Sequence, residues 1–186
     1  RLIIAFFVIL FVPFLMFGIA FLGFSKYQMQ AIEQSYGVPV SWDTLSDTMQ
    51  VIGKSTQKVF EKLKMQAEQD PDQFLDEAYL EKMNLEMEEQ PAYLLVRKDD
   101  ELYYNGSGEN VSKLFSELPA FREFSSSSDG GSYIGKDVKA FVKQLDVEFS
   151  DGSEGSVFII SSTKKIVTQT KHLLMDLLLS IVVILF

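Results

Sequence analysis

Hydrophobic residues divide the chain into two apolar ends and a polar middle. The first apolar run, Leu2–Phe24, has 23 residues and no charge. As a helix it would be about 35 Å long, enough to cross a bilayer core of roughly 30 Å. It is longer and more aromatic than the apolar part of a secretory signal peptide. We therefore predict that residues 1–24 form a membrane-spanning helix, with a kink at Pro13, whose ring removes one backbone hydrogen bond.

The second apolar run, Leu173–Phe186, contains one charged residue, Asp176. Its 14 residues would form about 21 Å of helix, which is too short to cross the bilayer core. The chain begins at Arg1 rather than at methionine, and no helix stop signal follows the second run. We expect a piece of a longer protein, in which residues 172–186 are the start of a second, truncated membrane helix.

The middle of the chain, residues 25–171, carries nearly all the charge and begins with helical periodicity. Apolar spacing predicts three helices, over residues 25–36, 41–69 and 71–89. Gly37 should end the first helix, and Ser41 or Asp43 should cap the second. The pair Asp70-Pro71 should end the second helix, because the residue before proline avoids the helical conformation.

The second of these helices has an apolar stripe that supports two interpretations. The stripe consists of Leu45, Met49, Ile52, Val59, Phe60, Leu63 and Ala67. It would either pack on its own domain or form a coiled-coil seam between two subunits. Thr56 interrupts the stripe, which is barely three heptads long.

Beyond residue 90 the pattern changes to that of β-strands. Alternation and turn residues predict five strands, over residues 92–97, 101–104, 132–135, 140–149 and 156–161. A short helix over residues 111–118 and a serine-rich loop over residues 125–131 separate the second strand from the third. The order of elements predicts an α+β domain, mainly helical over residues 25–90 and mainly sheet over residues 91–163. Its antiparallel sheet of about five strands would carry the long helices on one face.

Composition excludes several functions. The chain has 26 acidic and 17 basic residues and a formal net charge of −9, which argues against a nucleic-acid partner. It has no cysteine and one histidine, His172, so disulfides, thiolate ligands and histidine clusters are excluded within one chain. The segment GGSYIGKD is close to a phosphate-binding loop, but aspartate replaces the required Ser or Thr. We predict no catalytic, cofactor-binding or metal-binding residue.

The one histidine and the acid of the second run are four residues apart. His172 and Asp176 would share one helix face. We interpret them as a hydrogen-bonded pair where the second span enters the membrane. Asp176 should face a helix bundle rather than lipid, because a charge in hydrocarbon is costly.

Three segments give the chain a family likeness. They are FLDEAYLEKMN, YLLVRKDDELYYNG, and LDVEFSDGSEGSVFII, which leads almost directly into the second apolar run. With the two spans, they make the whole chain resemble the input region of a bacterial membrane sensor histidine kinase, with a PAS-like (PDC or Cache-type) extracytoplasmic domain. The kinase region itself lies outside this sequence.

The resemblance implies a homodimer in the bacterial plasma membrane, with residues 25–171 extracellular. The two spans of each subunit would form a four-helix bundle, and Pro13, His172 and Asp176 would take part in transmembrane signalling. The missing kinase would use ATP and Mg and act on a response regulator, whereas this region would catalyse nothing and hold no cofactor.

The resemblance also implies a place for the signal, between the sheet and the loop that covers it. In this sequence that place is near Arg122, Tyr133 and Lys136. The signal would be a small ligand, a peptide or a partner membrane protein.

Other membrane proteins could carry such a domain. An ABC-type permease, a chemoreceptor and a cyclic-dinucleotide enzyme are the alternatives. Lysines at positions 26, 164, 165 and 171 flank the central region, so the distribution of positive charge does not decide which side of the membrane it occupies.

Overall fold

The computed structural model describes residues 2–39, 48–87, 90–128, 130–134 and 140–162, together with Met175 and Leu179. Within these ranges the chain has an α+β fold, with a long N-terminal helix and a five-stranded antiparallel sheet. The predicted fold class is confirmed to that extent. Apart from Met175 and Leu179, the second apolar run lies outside the described residues, so the second membrane helix stays a prediction.

The N-terminal helix α1, Leu2–Tyr36, runs without a break through Pro13. Its 35 residues correspond to about 52 Å of length. The part over Phe6–Gln34 is long and apolar enough to cross a membrane, and its most apolar window is not buried in the protein. Gly37 has a φ of +64° and donates its amide hydrogen to the Glu33 carbonyl, which ends the helix as predicted.

The second predicted helix is interrupted. The structure has α2 over Thr48–Ser55 and α3 over Gln57–Gln69, and the proposed caps at Ser41 and Asp43 lie outside the described residues. The hydroxyls of Ser55 and Thr56 both donate to the Ile52 carbonyl, at 2.8 and 3.3 Å. Such side-chain bonds compete with the helical backbone bonds, which accounts for the break.

The predicted helix over residues 71–89 is also divided. A 3-10 turn over Pro71–Leu75 precedes the helix α4, Glu77–Leu85. Asp76 between them has extended backbone angles, and its carboxylate accepts a hydrogen bond of 2.9 Å from the Ala78 amide. Asp76 therefore acts as an N-cap in the middle of a stretch that the periodicity predicted as one helix.

All five predicted strands are present, with bounds that differ from the prediction by at most two residues. They are β1 (Ala92–Lys98), β2 (Glu101–Asn105), β3 (Ser132–Ile134), β4 (Ala140–Glu148) and β5 (Glu154–Ser162). The short helix is a single turn, α5, Ser112–Phe115, because the residues after it form a turn rather than extending the helix.

The strand order is β2-β1-β5-β4-β3, and every neighbouring pair is antiparallel. The last strand in sequence, β5, therefore lies at the centre of the sheet. It pairs with β1 from Gly155 to Ser161 and with β4 from Glu154 to Ser162. Displacing β5 would disturb hydrogen bonds along nearly its whole length on both sides.

The helices cover one face of the sheet, which we call the helix face. Its buried core includes Val59, Phe60, Leu63, Phe74, Leu80, Met83, Leu94, Val96, Val147, Val157 and Ile159. Four stripe residues are buried within this single chain, Ile52, Val59, Phe60 and Leu63. At these positions the stripe packs on its own domain and is not a seam between subunits.

The opposite face of the sheet is covered by part of the segment 106–128, which we call the cover segment. Val111 and Leu118 of this segment are buried against the sheet, and Leu114 and Phe115 pack beside them. The sheet contributes Leu95, Val142, Phe158 and Ile160 to this second core. The sheet thus has an apolar core on each side, as alternation of side chains along a strand allows.

Candidate functional site

The end of α1 meets the end of β5 at a point that we call the junction. Tyr36, in the last turn of α1, is 1% exposed, and its hydroxyl donates to the Ser162 carbonyl at 3.4 Å. Ile32, one turn earlier, is buried in the same cluster as Phe141 of β4. The helix that contains the apolar run is therefore in contact with the last residue of the central strand.

The spacing of apolar residues explains how α1 reaches the sheet. Met29, Ile32 and Tyr36 lie on one side of the helix, at positions i, i+3 and i+7. All three belong to one apolar cluster, which also contains Val51 and Ile52 of α2. The last turns of α1 are thus part of the domain core, although the helix begins in the apolar run.

A cleft of about 760 Å³ opens beside the junction. Its walls are the end of α4, the start of β1 and the cover segment. Its floor includes Ala140, Ile160 and Ser162, at the ends of β4 and β5. A molecule in this cleft would touch the same strand end that the Tyr36 hydroxyl contacts.

The cleft exists because β2 is shorter than its neighbour β1. Beyond the end of β2, the Asn84 side chain takes the place of a strand: its oxygen accepts from the Leu94 amide at 2.9 Å and its nitrogen donates to the Gly106 carbonyl at 3.0 Å. The Gly106 amide in turn donates to the Leu94 carbonyl. This side chain satisfies backbone groups that would otherwise lack partners. The part of β1 that precedes Leu94 has no neighbouring strand on this side within the described residues.

The cleft is lined by more negative than positive side chains. Its walls carry the carboxylates of Glu81, Glu109 and Glu117 and the ammonium group of Lys113. Glu81 accepts a hydrogen bond of 2.8 Å from the Tyr104 hydroxyl. Burial raises the pKa of the Tyr104 hydroxyl, and the bond to Glu81 raises it further, so this tyrosine stays a donor at neutral pH.

Two polar groups of the cleft have no hydrogen-bond partner in the part of the chain that the structure describes. The side-chain oxygen of Gln90 is buried without a donor, and the Tyr93 hydroxyl makes no hydrogen bond to the described residues. Burial raises the pKa of the Tyr93 hydroxyl, and the negative charge of Glu109 raises it further. The Gln90 oxygen is enclosed by protein, so of these two groups only the Tyr93 hydroxyl could bond to a molecule in the cleft.

A network of hydrogen-bonded polar side chains, which we call the clamp, holds the cover segment onto β4. It begins with Arg97 of β1, which is 6% exposed and donates to the Ser156 hydroxyl at 2.9 Å. Ser156 donates to Asp146 at 2.6 Å, and Asp146 accepts from the Arg122 amide at 3.1 Å. This chain of bonds links β1, β5 and β4 to the cover segment.

Gln144 is the other part of the clamp. Its side-chain nitrogen donates to the Ala120 carbonyl and to Asp146, at 2.9 and 2.8 Å. Its backbone amide donates to the Ser126 hydroxyl at 2.9 Å. Through the clamp, the cover segment is thus bonded to β4 at Ala120, Arg122 and Ser126.

The structure does not bring Arg122 and Tyr133 together. Arg122 lies on the cover-segment side of β4, has a φ of +60° and forms an ion pair with Glu148. Tyr133 of β3 packs edge-on against Phe141, with ring centroids 5.6 Å apart, on the helix face. The two residues are therefore on opposite faces of the sheet and cannot line one pocket, and Lys136 lies outside the described residues.

The predicted transmembrane residues are only partly described. Pro13 lies within the continuous helix α1. His172 and Asp176 lie outside the described residues, so their pairing stays a prediction. In the described ranges, no three His, Cys, Asp or Glu side chains converge to form a metal site.

Sequence reasoning missed Lys143, a buried cation on the helix face. It is 0% exposed, and its ammonium donates to the Gly53 carbonyl at 2.7 Å and to the Ser128 carbonyl. The ammonium also lies 5.3 Å from the centre of the Phe60 ring. The sequence pattern could have identified it, because Lys143 occupies the inward position between Phe141 and Leu145 in an alternating strand.

Comparison of the chain with known protein families, characterised proteins and solved structures found no match.

Proposed function

We propose that this chain is the input region of a membrane-bound sensor of the histidine-kinase type. The junction supports the proposal best, because one continuous helix connects the apolar run to the core of the α+β domain. The same helix contacts Ser162, the last residue of β5, and ten residues separate Ser162 from the second apolar run in the sequence. A change in the domain could thus reach both predicted spans.

The proposed signal travels through β5. A signal that moves the cover segment or fills the cleft would act on the floor at Ile160 and Ser162. Since β5 is bonded on both sides, its end would shift with the sheet rather than bend independently. The two membrane helices would then change their relative position, which requires a bias of only a few kcal/mol between two arrangements of the bundle.

The remaining parts of the proposal follow the family resemblance. The protein would be a homodimer in the bacterial plasma membrane, with residues 25–171 outside the cell. The kinase, beyond residue 186, would use ATP and Mg to phosphorylate itself and then a response regulator. The apolar helix α1, which is long enough to cross a membrane, is consistent with this location.

The test uses the full-length protein in membrane vesicles and measures autophosphorylation with radiolabelled ATP. Tyr36→Phe removes the hydroxyl at the junction and keeps the buried ring, so the domain should fold while the basal phosphorylation rate changes. Tyr103→Phe is the matched control, because it also removes a hydroxyl bonded to a carbonyl, that of Leu75, away from the junction. A protein that does not phosphorylate itself, or a Tyr36→Phe rate equal to wild type, would overturn the proposal.

The sequence of the native gene after residue 186 distinguishes the alternatives at once. The proposal expects a short linker and a kinase with a phosphoacceptor histidine. Further membrane spans would identify a permease, and a chemoreceptor or cyclic-dinucleotide domain would replace the kinase by another output.

The roles of Pro13 and Asp176 are tested in the same protein. Pro13→Ala and Asp176→Leu should each alter signalling if these residues set the geometry of the helix bundle. Unchanged phosphorylation in both variants would remove them from the mechanism.

A further inference from the structure

We infer that the free edge of β4 binds an extended peptide whose side chains follow a basic–apolar–basic order. The role of such a peptide as a signal rests on the proposed function, but its binding does not. Within the described residues, β3 pairs with β4 only as far as Val142. Beyond that point lies a groove of about 400 Å³, the edge groove, whose walls are Lys64, Ala67 and Glu68 of α3 and Phe121 and Arg122 of the cover segment.

The backbone of β4 faces the edge groove at Asp146 and Glu148. In an antiparallel sheet, alternate residues direct their N–H and C=O groups to opposite neighbours. Both backbone groups of Gln144 bond to Ser126, so every second residue from Gln144 onward directs its backbone groups away from β5. Asp146 and Glu148 therefore present two N–H and two C=O groups to the edge groove, and none of the four bonds to a described residue.

The open stretch has a defined beginning and end. Before it, Gln144 is paired with Ser126. After it, the Ser150 amide donates to the Asp72 carboxylate at 2.9 Å. The backbone is thus satisfied on either side of the two open residues but not between them. Such a row of unpaired backbone groups is the template to which an extended chain adds as a further strand.

The side chains along this edge select the chemistry of the peptide. Asp146 and Glu148 lie on the cover-segment side of β4, and Val147 lies on the helix face. A strand paired antiparallel would place one of its own side chains beside each of these three, so basic residues beside the two acids and an apolar residue beside Val147 are favoured. The apolar side chain would lie against Ala67, the smallest side chain of its wall.

The same charges disfavour a second copy of this chain as the occupant. Pairing this edge with the same edge of another copy would place acidic residues opposite acidic residues, which destabilises a strand pair. A second sheet would also bring its own covering layers against α3 and the cover segment. A single extended chain has no such layers and fits between the two walls.

The position of the edge groove connects binding to the clamp. Asp146 accepts hydrogen bonds from Ser156 of β5 at 2.6 Å and from the Arg122 amide of the cover segment at 3.1 Å. A peptide held beside Asp146 would restrain β4 and the cover segment together. A signal that enters at this edge would therefore reach β5 through hydrogen bonds that the clamp already makes.

The test uses the complete chain in lipid nanodiscs and the peptide Thr-Lys-Val-Lys-Thr with both ends blocked. Isothermal titration measures its affinity, and hydrogen–deuterium exchange resolved to single residues identifies its site. At saturation, the amides of Asp146 and Glu148 should exchange at least about tenfold more slowly, because each donates to the peptide. The Val147 amide faces β5 and is the internal control, whose exchange rate should not change.

Methylation of the peptide separates strand pairing from attraction between charges. In antiparallel pairing the lysine N–H groups point toward β4 and the valine N–H points away. A methyl group on one lysine backbone nitrogen should weaken binding about tenfold, the effect of one lost hydrogen bond. The same group on the valine nitrogen, the matched control, should leave the affinity unchanged, and the peptide Thr-Glu-Val-Glu-Thr should not bind.

Ala67→Phe fills the edge groove from the side of α3 and should abolish binding. Met65→Phe is its matched control, because it adds a ring to the same helix at an exposed position outside the groove. Melting temperatures report whether both variants fold, and the methylated peptides decide the question in the wild type if Ala67→Phe does not. The proposal is overturned if the Asp146 and Glu148 amides keep their exchange rates, if the two methylated peptides bind equally, or if the acidic peptide binds as well as the basic one.

Failure of this proposal and failure of the sensor function give different results. If the basic peptide does not bind but Tyr36→Phe alters phosphorylation, the edge groove is not the site of the signal and the sensor function stands. If the peptide binds as expected and the full-length protein has no kinase activity, the edge groove is a peptide site in a protein of another function.

Discussion

At the scale of single residues, two aspartates determine the turn of the first hairpin. Asp99 and Asp100 have φ angles of 47° and 64°, a left-handed conformation that costs most residues energy but that Asp tolerates better than others. Asp99 also binds Glu154 through its amide, at 2.9 Å, and through its carboxylate. Asp100 is exposed and makes no side-chain bond to the described residues, so its backbone conformation can be tested without losing a contact.

Asp100→Gly should stabilise the domain relative to Asp100→Ala by about 1 kcal/mol, because glycine adopts positive φ without the clash of a Cβ atom. Both variants remove the same carboxylate, so the comparison isolates the backbone effect. Urea unfolding of the two variants measures the difference. Equal midpoints would mean that the turn changes its conformation when Asp100 is replaced.

Asp151, in the turn between β4 and β5, forms an ion pair with Lys98 of β1. Its carboxylate accepts from the Lys98 ammonium at 2.8 Å and from the amide and hydroxyl of Ser153. The bond from Lys98, followed by those from Ser153, lowers the pKa of Asp151. The same ion pair raises the pKa of Lys98.

The lowered pKa of Asp151 predicts a pH dependence of stability. Since the folded-state pKa lies below the unfolded value of about 3.9, the contribution is complete above about pH 4 and is lost as pH falls through the lowered pKa. Asp151→Asn should therefore unfold at a lower urea concentration than wild type at pH 7, and the gap should narrow as pH falls below about 4. For Lys98→Gln, the difference in unfolding urea concentration from wild type should depend on pH in the same way. A difference that stays constant down to pH 2 would contradict the role given to the Asp151–Lys98 ion pair.

At the scale of elements, Lys143 joins three parts of the fold. It belongs to β4, and it binds the Gly53 carbonyl of α2 and the Ser128 carbonyl of the cover segment. A buried ammonium is tolerated only when polar groups surround it. The domain therefore uses one cation to hold a helix and a loop against the same strand.

Lys143→Met keeps most of the side-chain volume and removes the ammonium group. The carbonyls of Gly53 and Ser128 then lose a donor, and we expect a loss of about 2–4 kcal/mol in the free energy of unfolding. Urea unfolding measures this loss, and hydrogen–deuterium exchange should increase around Ser128. Lys58→Met, at an exposed position of α3, is the control and should change stability by less than about 0.5 kcal/mol. If Lys143→Met is as stable as wild type, the carbonyls do not depend on the cation.

At the scale of the whole molecule, α1 belongs to two environments. Its first turns expose large apolar side chains, including Phe6, Ile9 and Phe14. Its last turns bury Ile32 and Tyr36 in the domain core. One helix thus provides both the candidate membrane span and a part of the folded domain.

This double role predicts different stabilities for two shortened chains. A chain of residues 26–162 keeps Ile32 and Tyr36 and should fold, whereas residues 37–162 should be less stable by about 3–6 kcal/mol, the cost of losing two large buried side chains. Circular dichroism and urea unfolding measure both. Equal stability of the two chains would show that the end of α1 contacts the domain without stabilising it.

The pattern of residues along the chain was enough to predict the positions of the strands, but not the positions at which the helices break. Apolar and aromatic runs bounded by turn residues located all five strands, although β1, β4 and β5 are buried on both faces of the sheet. The breaks at Thr56 and Asp76 were not located as element boundaries, because each depends on whether one short polar side chain bonds to a particular backbone group. Arg122 and Tyr133 were predicted to lie near one site, but a strand pattern does not reveal which face a distant loop covers.

The sequence by itself determined the long apolar helix, the end of that helix at Gly37 and the strand content of the second half. These features depend on residues that are close together in the chain, where spacing and turn chemistry act directly. Only the tertiary structure decided that β5 is central, that Tyr36 meets Ser162 and that the cleft opens where β2 ends. Each of these depends on contacts between residues far apart in the chain, and the choice among such pairings is made by the packing of the whole domain.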